Sequence, residues 1–280
     1  MQAKQKIACA IHDISCVGRC SLTVALPIIS AAGVEASVLP TAVLSTHTGG
    51  FSGFTYRDLT EDISPIAAHW DGLGVRFDAM YSGFLGSFDQ IDLVGGLFES
   101  FGGLIMVDPV MADEGKLYSV YTQEMAMGMA RLCSKADIIV PNLTEAAFML
   151  GEEYEPGPYT RDYIAGMLGR LQGLGAKRVV LTGVYLQGED TIGAAALDSD
   201  GVHYAFAPRV EGYFHGTGDI FGSALLGALL NDKPLEQAMV IAVEYVYECI
   251  KLGQSHGREA RYGVPFEQAL PMYMRKLGLV

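Results

Sequence analysis

The sequence predicts an α/β fold in which a mostly parallel central sheet carries helices on both faces. Strand-like and helix-like segments alternate along the 280 residues. Each strand-like segment is nearly continuous in apolar residues, as expected for strands that are buried on both faces. Half of the residues are hydrophobic, which is enough to bury a large core. We predict one domain over residues 1–280, although this length would also accommodate two domains of modest size.

The predicted elements follow one another in chain order. A buried strand at 6–14 precedes an apolar helix at 20–32, which ends at Gly33 because glycine is favoured just after a helix C-terminus. The other predicted strands are 35–44, 77–85, 103–110, 136–142 and 177–183, and 191–207 alternates like an antiparallel hairpin. The other predicted helices are 62–71, 89–101, 122–136, 143–150, 161–174, two within 219–252 divided at Lys233-Pro234, and one at 266–276.

The composition excludes several classes of partner. The formal net charge is −13 and the pI is near 4.8, so the surface would repel nucleic acid and anionic membranes. No uncharged apolar run reaches the ~18 residues of a membrane span, and we see no signal-peptide core. Five cysteines without a Cys-x-x-Cys motif predict reduced thiols in a cytoplasmic protein. A small phosphorylated ligand remains compatible with this charge.

Polar residues follow most of the predicted strands. In sheets of this class, ligands bind at the carboxyl ends of the strands. Any one of these residues is ordinary loop polarity, but their concentration along one edge predicts a functional site. They are His12-Asp13, Thr46-His47-Thr48, Asp108, Asn142, Glu145, Thr182 and the loop 216–219, and the aromatic Phe84 lies at the same edge.

The loop Gly216-Thr217-Gly218-Asp219 precedes a long apolar helix. Glycines let backbone N–H groups approach a ligand, and a helix start favours anions, so this loop is suited to phosphate. Asp219 would then act as a general base beside the anion. The alternative is that Asp219 caps the helix and that Gly-Thr-Gly is an ordinary loop. The loop matches neither the Gly-x-Gly-x-x-Gly fingerprint nor a P-loop.

Carboxylates follow two neighbouring predicted strands. Asp108 and Asp113 come after one strand, and Asn142 and Glu145 come after the next. Oxygen ligands of this kind suit Mg²⁺ held partly through water and phosphates, whereas the absence of His and Cys argues against zinc. The alternative is that Asn142 and Glu145 only cap the helix that they begin.

Residues 45–54, which we call the flap, are polar and glycine-rich. They predict either a mobile lid or a plain crossover loop.

Four motifs in this order and spacing resemble the pyridoxal kinases of the ribokinase-like superfamily. They are the Thr-His-Thr-Gly-Gly of the flap, Asp-Pro-Val-Met-Ala-Asp, Val-Pro-Asn-Leu-Thr-Glu-Ala and Gly-Thr-Gly-Asp, and the resemblance runs from Ile11 to about Gly253. It implies a ribokinase-like three-layer sandwich. It also implies ATP-dependent transfer of the γ-phosphoryl group to the 5′-hydroxymethyl group of a B6 vitamer, whether pyridoxamine, pyridoxal or pyridoxine.

The resemblance also implies a role for each matching residue. Asp219 becomes the base on the 5′-hydroxyl, and Gly216, Thr217 and Gly218 form the anion hole. The residues placed around Mg²⁺ and the nucleotide are Asp108, Asp113, Asn142, Glu145 and Thr182. Thr48 falls where a hydroxyl meets the pyridine nitrogen, His47 lies beside it, and Phe84 stacks on the ring. A monovalent cation such as K⁺ near the anion hole and a homodimer are common among such enzymes.

The chain departs from the pattern at three sites. Many members carry Gln-Ser-His where this chain has His12-Asp13-Ile14. Asp13 is an unusual neighbour for an aldehyde but could pair with an ammonium, which predicts a preference for pyridoxamine; the alternative is that Asp13 caps the following turn. Phe84 stands where several relatives have tyrosine, so the stacking survives without the hydroxyl contact. Gly183 supplies no side chain where some relatives have a second hydroxyl.

Other functions are compatible with the same motifs. A hydroxymethylpyrimidine kinase is the nearest alternative, and a sugar kinase is the next. The expected pocket offers Phe84, His47, Thr48 and one acid, which favours a flat heteroaromatic ring over a sugar. A vitamer-binding protein without catalysis would be expected to lack the base or the anion loop, and both are intact.

Overall fold

A nine-stranded, mostly parallel sheet runs through the part of the chain that the structure, a computed structural model, describes: residues 5–119, 121–255, 257 and 259–280. The strands are β1 (Ile7–Ser15), β2 (Glu35–Leu44), β3 (Tyr56–Asp58), β4 (Ala79–Ser82), β5 (Leu104–Val107), β6 (Ala112–Asp113), β7 (Lys116–Leu117), β8 (Ile138–Ile139), β9 (Arg178–Val184), β10 (Thr191–Asp198) and β11 (Gly201–Pro208). Strands β6 and β7 form a separate hairpin, and the others have the order β11-β10-β9-β8-β5-β4-β1-β2-β3.

The six central strands β2, β1, β4, β5, β8 and β9 are parallel. The β10–β11 hairpin extends one edge in antiparallel fashion, and β3 pairs antiparallel with β2 at the other edge. The carboxyl ends of the central strands therefore lie at the same edge of the sheet. The predicted fold class, a mostly parallel α/β sheet, is confirmed.

Helices cover both faces of the sheet. They are α1 (Leu22–Ala31), α2 (Thr60–Gly72), α3 (Phe88–Phe101), α4 (Gln123–Cys133), α5 (Leu143–Leu150), α6 (Arg161–Gln172), α7 (Thr217–Leu230), α8 (Leu235–Ser255) and α9 (Phe266–Leu277), with a 3-10 helix at Ala260–Tyr262. Helices α1, α7, α8 and α9 contribute to one hydrophobic core, and α2 to α6 contribute to the other. The predicted three layers are therefore present.

Strand β1 explains how one sheet serves two cores. Ala8 and Ala10 belong to the first core, whereas Cys9 and Ile11 belong to the second. Successive side chains of a strand point to opposite faces, so a strand buried on both sides must be apolar at every position. This continuous apolar pattern is the one that predicted the parallel sheet.

The structure differs from the prediction in its short elements. The strand predicted at 136–142 is reduced to β8, and the one predicted at 77–85 to β4. Pro141 has no N–H to extend the β8 ladder, although the Val140 N–H still donates to Val107 O. The exposed strand β3 and the β6–β7 hairpin were not predicted, because pieces of two or three residues carry no hydrophobic period.

Candidate active site

The carboxyl ends of the parallel strands open into a cavity of about 440 Å³. Its wall includes the flap, the beginning of α7 and one side of α8. Of the strand-end residues, His12 and Thr46 do not line it, but every residue to which the sequence assigns a role does: Asp13, His47, Thr48, Phe84, Asp108, Asp113, Asn142, Glu145, Thr182, Gly216, Thr217, Gly218 and Asp219. The structure thus brings these residues together, and the role assigned to each one stays a prediction.

The glycine loop leads directly into α7. Gly216 is the N-cap residue and has a φ of 77°, in the left-handed region that glycine adopts without strain. A Cβ at this position would overlap the carbonyl oxygen of Arg19. The first N–H groups of a helix have no partner within it and form the positive end of its dipole. Residues 216–218 therefore present a backbone site for an anion at the cavity wall.

Asp219 is the third residue of α7, so the alternative interpretation of Asp219 as the capping residue is wrong. Its Oδ2 atom accepts hydrogen bonds from the Ser21 backbone N–H at 2.8 Å and from the Cys20 thiol at 3.3 Å. Its Oδ1 atom lies 3.9 Å from His12 Nδ1. One carboxylate oxygen is thus held in place, and the carboxylate stands at the cavity beside the anion site.

Burial raises the pKa of Asp219 to about 6, and the charge of Asp13 adds to this effect, while the hydrogen bonds from Ser21 and Cys20 oppose it. His12 does not supply a compensating charge, because complete burial lowers its pKa to about 3 and keeps the imidazole neutral. A carboxylate with a pKa near 6 is ionised at neutral pH yet is more basic than an exposed aspartate. These are the properties of a general base.

Asn142 and Glu145 form a capping box at the start of α5. The Asn142 side chain accepts from the Glu145 N–H at 2.9 Å, and Glu145 Oε2 accepts from the Asn142 N–H at 2.8 Å. The pair therefore caps α5, as the alternative interpretation predicted. The same two side chains line the cavity, and Asn142 also donates to Ala112 O. Capping fixes their positions at the rim without removing them from the site.

Asp108 and Glu145 are buried carboxyl groups that repel each other electrostatically. Burial raises the pKa of both, the Asp219 charge raises the pKa of Asp108 further, and the Asp108 charge does the same for Glu145. Within the described residues, no three His, Cys, Asp or Glu side chains converge closely enough to form a metal centre by themselves. Asp113 lies at the rim, where it accepts a hydrogen bond from Tyr213. This arrangement fits a cation held partly by water and phosphate oxygens.

The flap is attached to the 3-10 helix near the C-terminus through His47. The Gly49 N–H donates to His47 Nδ1, so His47 Nε2 carries the hydrogen and donates to Arg261 O at 2.6 Å. Phe51 packs edge-on against His47, and the Arg261 guanidinium lies 5.0 Å from the centre of the Phe51 ring. Both ring nitrogens of His47 are therefore engaged within the protein. Thr48 is left as the polar flap side chain predicted to contact the substrate.

The sequence model of one protein family, described as phosphomethylpyrimidine kinase, matches residues 26–263. The chain belongs to this family. The match includes the flap, the carboxylates after β5 and β8 and the glycine loop. It leaves out Asp13 and Ser21, which lie before it.

Solved structures similar to this chain include those of a protein assigned to the phosphomethylpyrimidine kinases and of a pyridoxal kinase. A Bacteroides thetaiotaomicron protein assigned to the phosphomethylpyrimidine kinases, whose orthorhombic crystal form contains pyridoxal, is 36% identical with a TM-score of 0.92 over 96% of both chains. The pyridoxal kinase of Lactobacillus plantarum is 32% identical with a TM-score of 0.89 over 96% of this chain and 97% of that one. The predicted membership of the pyridoxal kinase group of the ribokinase-like superfamily is confirmed at this level.

A curated relative comes from thiamine biosynthesis. The bifunctional protein ThiED of Geobacter sulfurreducens is 28% identical over 83% of this chain. The chain spans about half of that protein, 46% of its length. The family relatives thus divide between pyridoxal kinases and thiamine biosynthesis. At family level, the chain is a kinase whose acceptor is a hydroxymethyl group.

The apolar end of the cavity was not predicted from the sequence. It is lined by Ile192, Ala207, Val210, Val243, Val246 and Ile250. The spacing of 243, 246 and 250 places three apolar side chains on one face of α8, which is a detectable helical pattern. That pattern cannot distinguish a cavity wall from a core. Cys20, Ser21, Tyr118, Tyr213 and His215 also line the cavity, and the sequence did not predict them as site residues.

Among the described helices, none combines the length and apolar character needed to cross a membrane.

Proposed function

We propose that this kinase transfers the γ-phosphoryl group of ATP to the 5′-hydroxymethyl group of a B6 vitamer. The observation that carries the proposal is the position of Asp219. Its carboxylate stands at the start of α7, beside the backbone anion site of residues 216–218, in the same cavity as Phe84 and Thr48. A base, a phosphate site and an aromatic ring site are the three parts that such a transfer requires.

Asp219 would remove the proton of the attacking hydroxyl. Its Oδ2 atom is held by Ser21 and Cys20, which leaves Oδ1 to face the acceptor. The N–H groups of Gly216, Thr217 and Gly218 would bind the oxygens of the phosphoryl group in transit, where negative charge is concentrated. Thr217 is kept in position because its hydroxyl donates to Phe214 O at 3.0 Å.

Mg²⁺ would be held beside the phosphates by Asp108, Asp113 and Glu145, partly through water. Bound there, it would neutralise charge on the β- and γ-phosphates. Support for this comes from the buried pair of Asp108 and Glu145, whose mutual repulsion a cation would relieve. Asn142 and Thr182 lie at the same rim and would contact the nucleotide. The apolar end of the cavity between β10, β11 and α8 would take the adenine ring.

Phe84 and Thr48 would recognise the acceptor, with Phe84 against the ring and the Thr48 hydroxyl at the ring nitrogen. Phe84 is only 8% exposed and packs edge-on against Tyr121, so its orientation is restricted. Hydroxymethylpyrimidine is the second candidate acceptor, because the family model and the thiamine-biosynthesis relative belong to that chemistry. Pyridoxal in the Bacteroides relative at 36% identity supports the first.

An ATP-consumption assay distinguishes these acceptors. We expect turnover with pyridoxal, pyridoxamine and pyridoxine to exceed turnover with hydroxymethylpyrimidine by at least about tenfold in kcat/KM, and no turnover with ribose. A higher kcat/KM for hydroxymethylpyrimidine would replace the first proposal with the second. ATP consumption with none of the five compounds above the acceptor-free rate would contradict both.

The same assay tests the predicted preference for pyridoxamine. Asp13 would have to face an ammonium group, yet both of its oxygens already accept hydroxyl hydrogens, from Ser15 and Ser21. An ammonium would have to share this carboxylate with the two hydroxyl donors, which weakens its contact. We therefore expect kcat/KM for pyridoxamine and pyridoxal to agree within about threefold. A preference for pyridoxamine above about tenfold would instead support the contact between Asp13 and an ammonium group.

The pH dependence of kcat/KM should report the base. Asp219 is active only when it is ionised, and burial raises its pKa to about 6. We expect kcat/KM to be constant from pH 7 to 8 and to fall about tenfold per unit below pH 6. Initial rates in matched buffers from pH 5 to 8, with saturation by Mg²⁺ checked at each pH, measure this limb. A rate that is unchanged down to pH 5 would rule out a base with a raised pKa.

A further inference from the structure

Ser21 is the N-cap residue of α1, but it does not cap that helix. Its side chain makes no hydrogen bond to the first turn of α1, although serine is among the best capping residues. The hydroxyl points to Asp13 instead and donates to Asp13 Oδ1. Ser21 is 5% exposed, so this bond is shielded from water. A capping interaction is given up for a contact with a buried carboxyl group.

The backbone of Ser21 is also unusual. Its φ is 56° and its ψ is −134°, a conformation that costs free energy for any residue with a Cβ. In this conformation the Ser21 N–H donates to Asp219 Oδ2 at 2.8 Å. The strained residue is therefore the one that holds the proposed base. Strain of this kind persists only where the surroundings enforce it.

Asp13 lies where it can enforce this conformation. The register between β1 and β2 shifts between His12 and Ile14, so Asp13 on β1 lies opposite two residues of β2, Thr41 and Ala42. The extra residue belongs to β2, and irregularities of this kind are common beside active sites. Asp13 is 4% exposed, and its two oxygens accept from the Ser21 hydroxyl and, at 2.9 Å, from the Ser15 hydroxyl. Its orientation is thus determined by two donors.

We propose that Asp13 and Ser21 are positioning residues, which hold the Asp219 carboxylate in its productive orientation through the Ser21 backbone N–H. This inference rests on the proposed role of Asp219 and adds a function for the segment before α1. Asp13 acts on the reaction through Ser21 and Asp219 and does not contact the acceptor. The proposal assigns Asp13 a role that differs from that of an ammonium ligand.

Two substitutions of Ser21 distinguish the contribution of its hydroxyl from that of its backbone conformation. Ser21→Ala removes the bond to Asp13 and keeps the cost of a positive φ, so we expect the backbone to relax and kcat to fall about 10- to 100-fold. Ser21→Gly also removes the hydroxyl, but glycine adopts the required φ without strain and keeps the N–H. Its kcat should fall by less than about tenfold. KM for ATP and for the acceptor should stay within about twofold in both variants.

The same substitutions in an Asp219→Asn background test whether the effect passes through the base. With the base removed, Ser21→Ala should cause no further loss of the residual rate, because residues that act as a unit are not additive. A further loss of tenfold or more, or a kcat loss as large in Ser21→Gly as in Ser21→Ala, would overturn the proposal. Asp13→Asn should lower kcat/KM for pyridoxal and pyridoxamine by the same factor. A loss confined to pyridoxamine would also overturn it.

The kinetic measurements use whichever acceptor the wild type phosphorylates best. If that acceptor is a pyrimidine, the proposed function is wrong, but the test of the positioning role can still be carried out. Crystal structures of the Ser21 variants give a readout that does not need turnover. We expect the Asp219 carboxylate to lose its hydrogen bond from the residue 21 N–H in Ser21→Ala and to keep this hydrogen bond in Ser21→Gly. An unmoved Asp219 carboxylate in Ser21→Ala would contradict the positioning role, whatever the acceptor is.

Discussion

Replacing Asp219 with asparagine is expected to lower kcat by roughly 10²–10⁴-fold, the usual contribution of a general base. Asparagine keeps the shape of the side chain, and its amide oxygen can still accept from the Ser21 N–H at the position where Oδ2 accepts now. What it loses is the ability to take a proton from the acceptor hydroxyl. Steady-state kinetics with ATP and the best acceptor, together with calorimetric binding of both ligands, measure the two effects separately.

Asp92→Asn is the matched control for this substitution. It makes the same chemical change on the exposed surface of α3, away from the cavity. We expect its kcat to equal that of the wild type. Turnover in Asp219→Asn within threefold of the wild type would exclude Asp219 as the base. Loss of ligand binding together with turnover would instead indicate a collapsed site.

The Asp219→Asn variant should be at least as stable as the wild type. The pKa of Asp219 is raised from 3.8 to about 6, so the folded state binds its proton more tightly than the unfolded chain does. Stability contributed by the protonated carboxyl group is therefore lost as the pH rises through about 6. Asparagine carries no charge to bury. We expect a higher Tm for Asp219→Asn at pH 8 and a smaller difference at pH 5.

Gly216→Ala is expected to damage both stability and activity. The φ of 77° costs a residue with a Cβ about 1–2 kcal/mol, and the new Cβ would overlap the Arg19 carbonyl oxygen. The segment that must move includes Cys20 and Ser21, which hold Asp219. We expect Tm to fall by at least roughly 2–8 °C and kcat/KM to fall about 100-fold, the effect of a displacement near 1 Å.

Gly218→Ala is the contrasting variant. No atom lies within 4 Å of a Cβ built at Gly218, and its φ is not positive, so alanine should fold without strain. We expect a Tm within about 1 °C of the wild type and a raised KM for ATP, because the added methyl group would enter the anion site. Thermal unfolding and ATP titrations of the two variants, measured side by side, test this. Equal losses of Tm at 216 and 218 would contradict the explanation.

The long elements could be predicted because each one carries its own periodic pattern. Strand β2 at 35–44 was predicted with its observed ends, and the Ser87 and Thr122 caps agree with helices that begin within two residues of the predicted starts. Strand β8 is defined instead by pairing with β5 and β9, which are distant in sequence. Local pattern carries no information about such pairing, so β3, β6 and β7 were also missed.

The sequence by itself determined the class of fold and the set of residues at the strand ends, because the apolar period and the alternation of strands and helices along the chain are local properties. It also contained the glycine loop and its aspartate. Only the tertiary structure decided what those residues contact. The burial of Asp219, the engagement of both His47 nitrogens and the turning of Ser21 from its helix to Asp13 all depend on segments that are far apart in the chain. Solvation and hydrogen bonds between distant segments are properties of the assembled environment, so no local pattern can encode them.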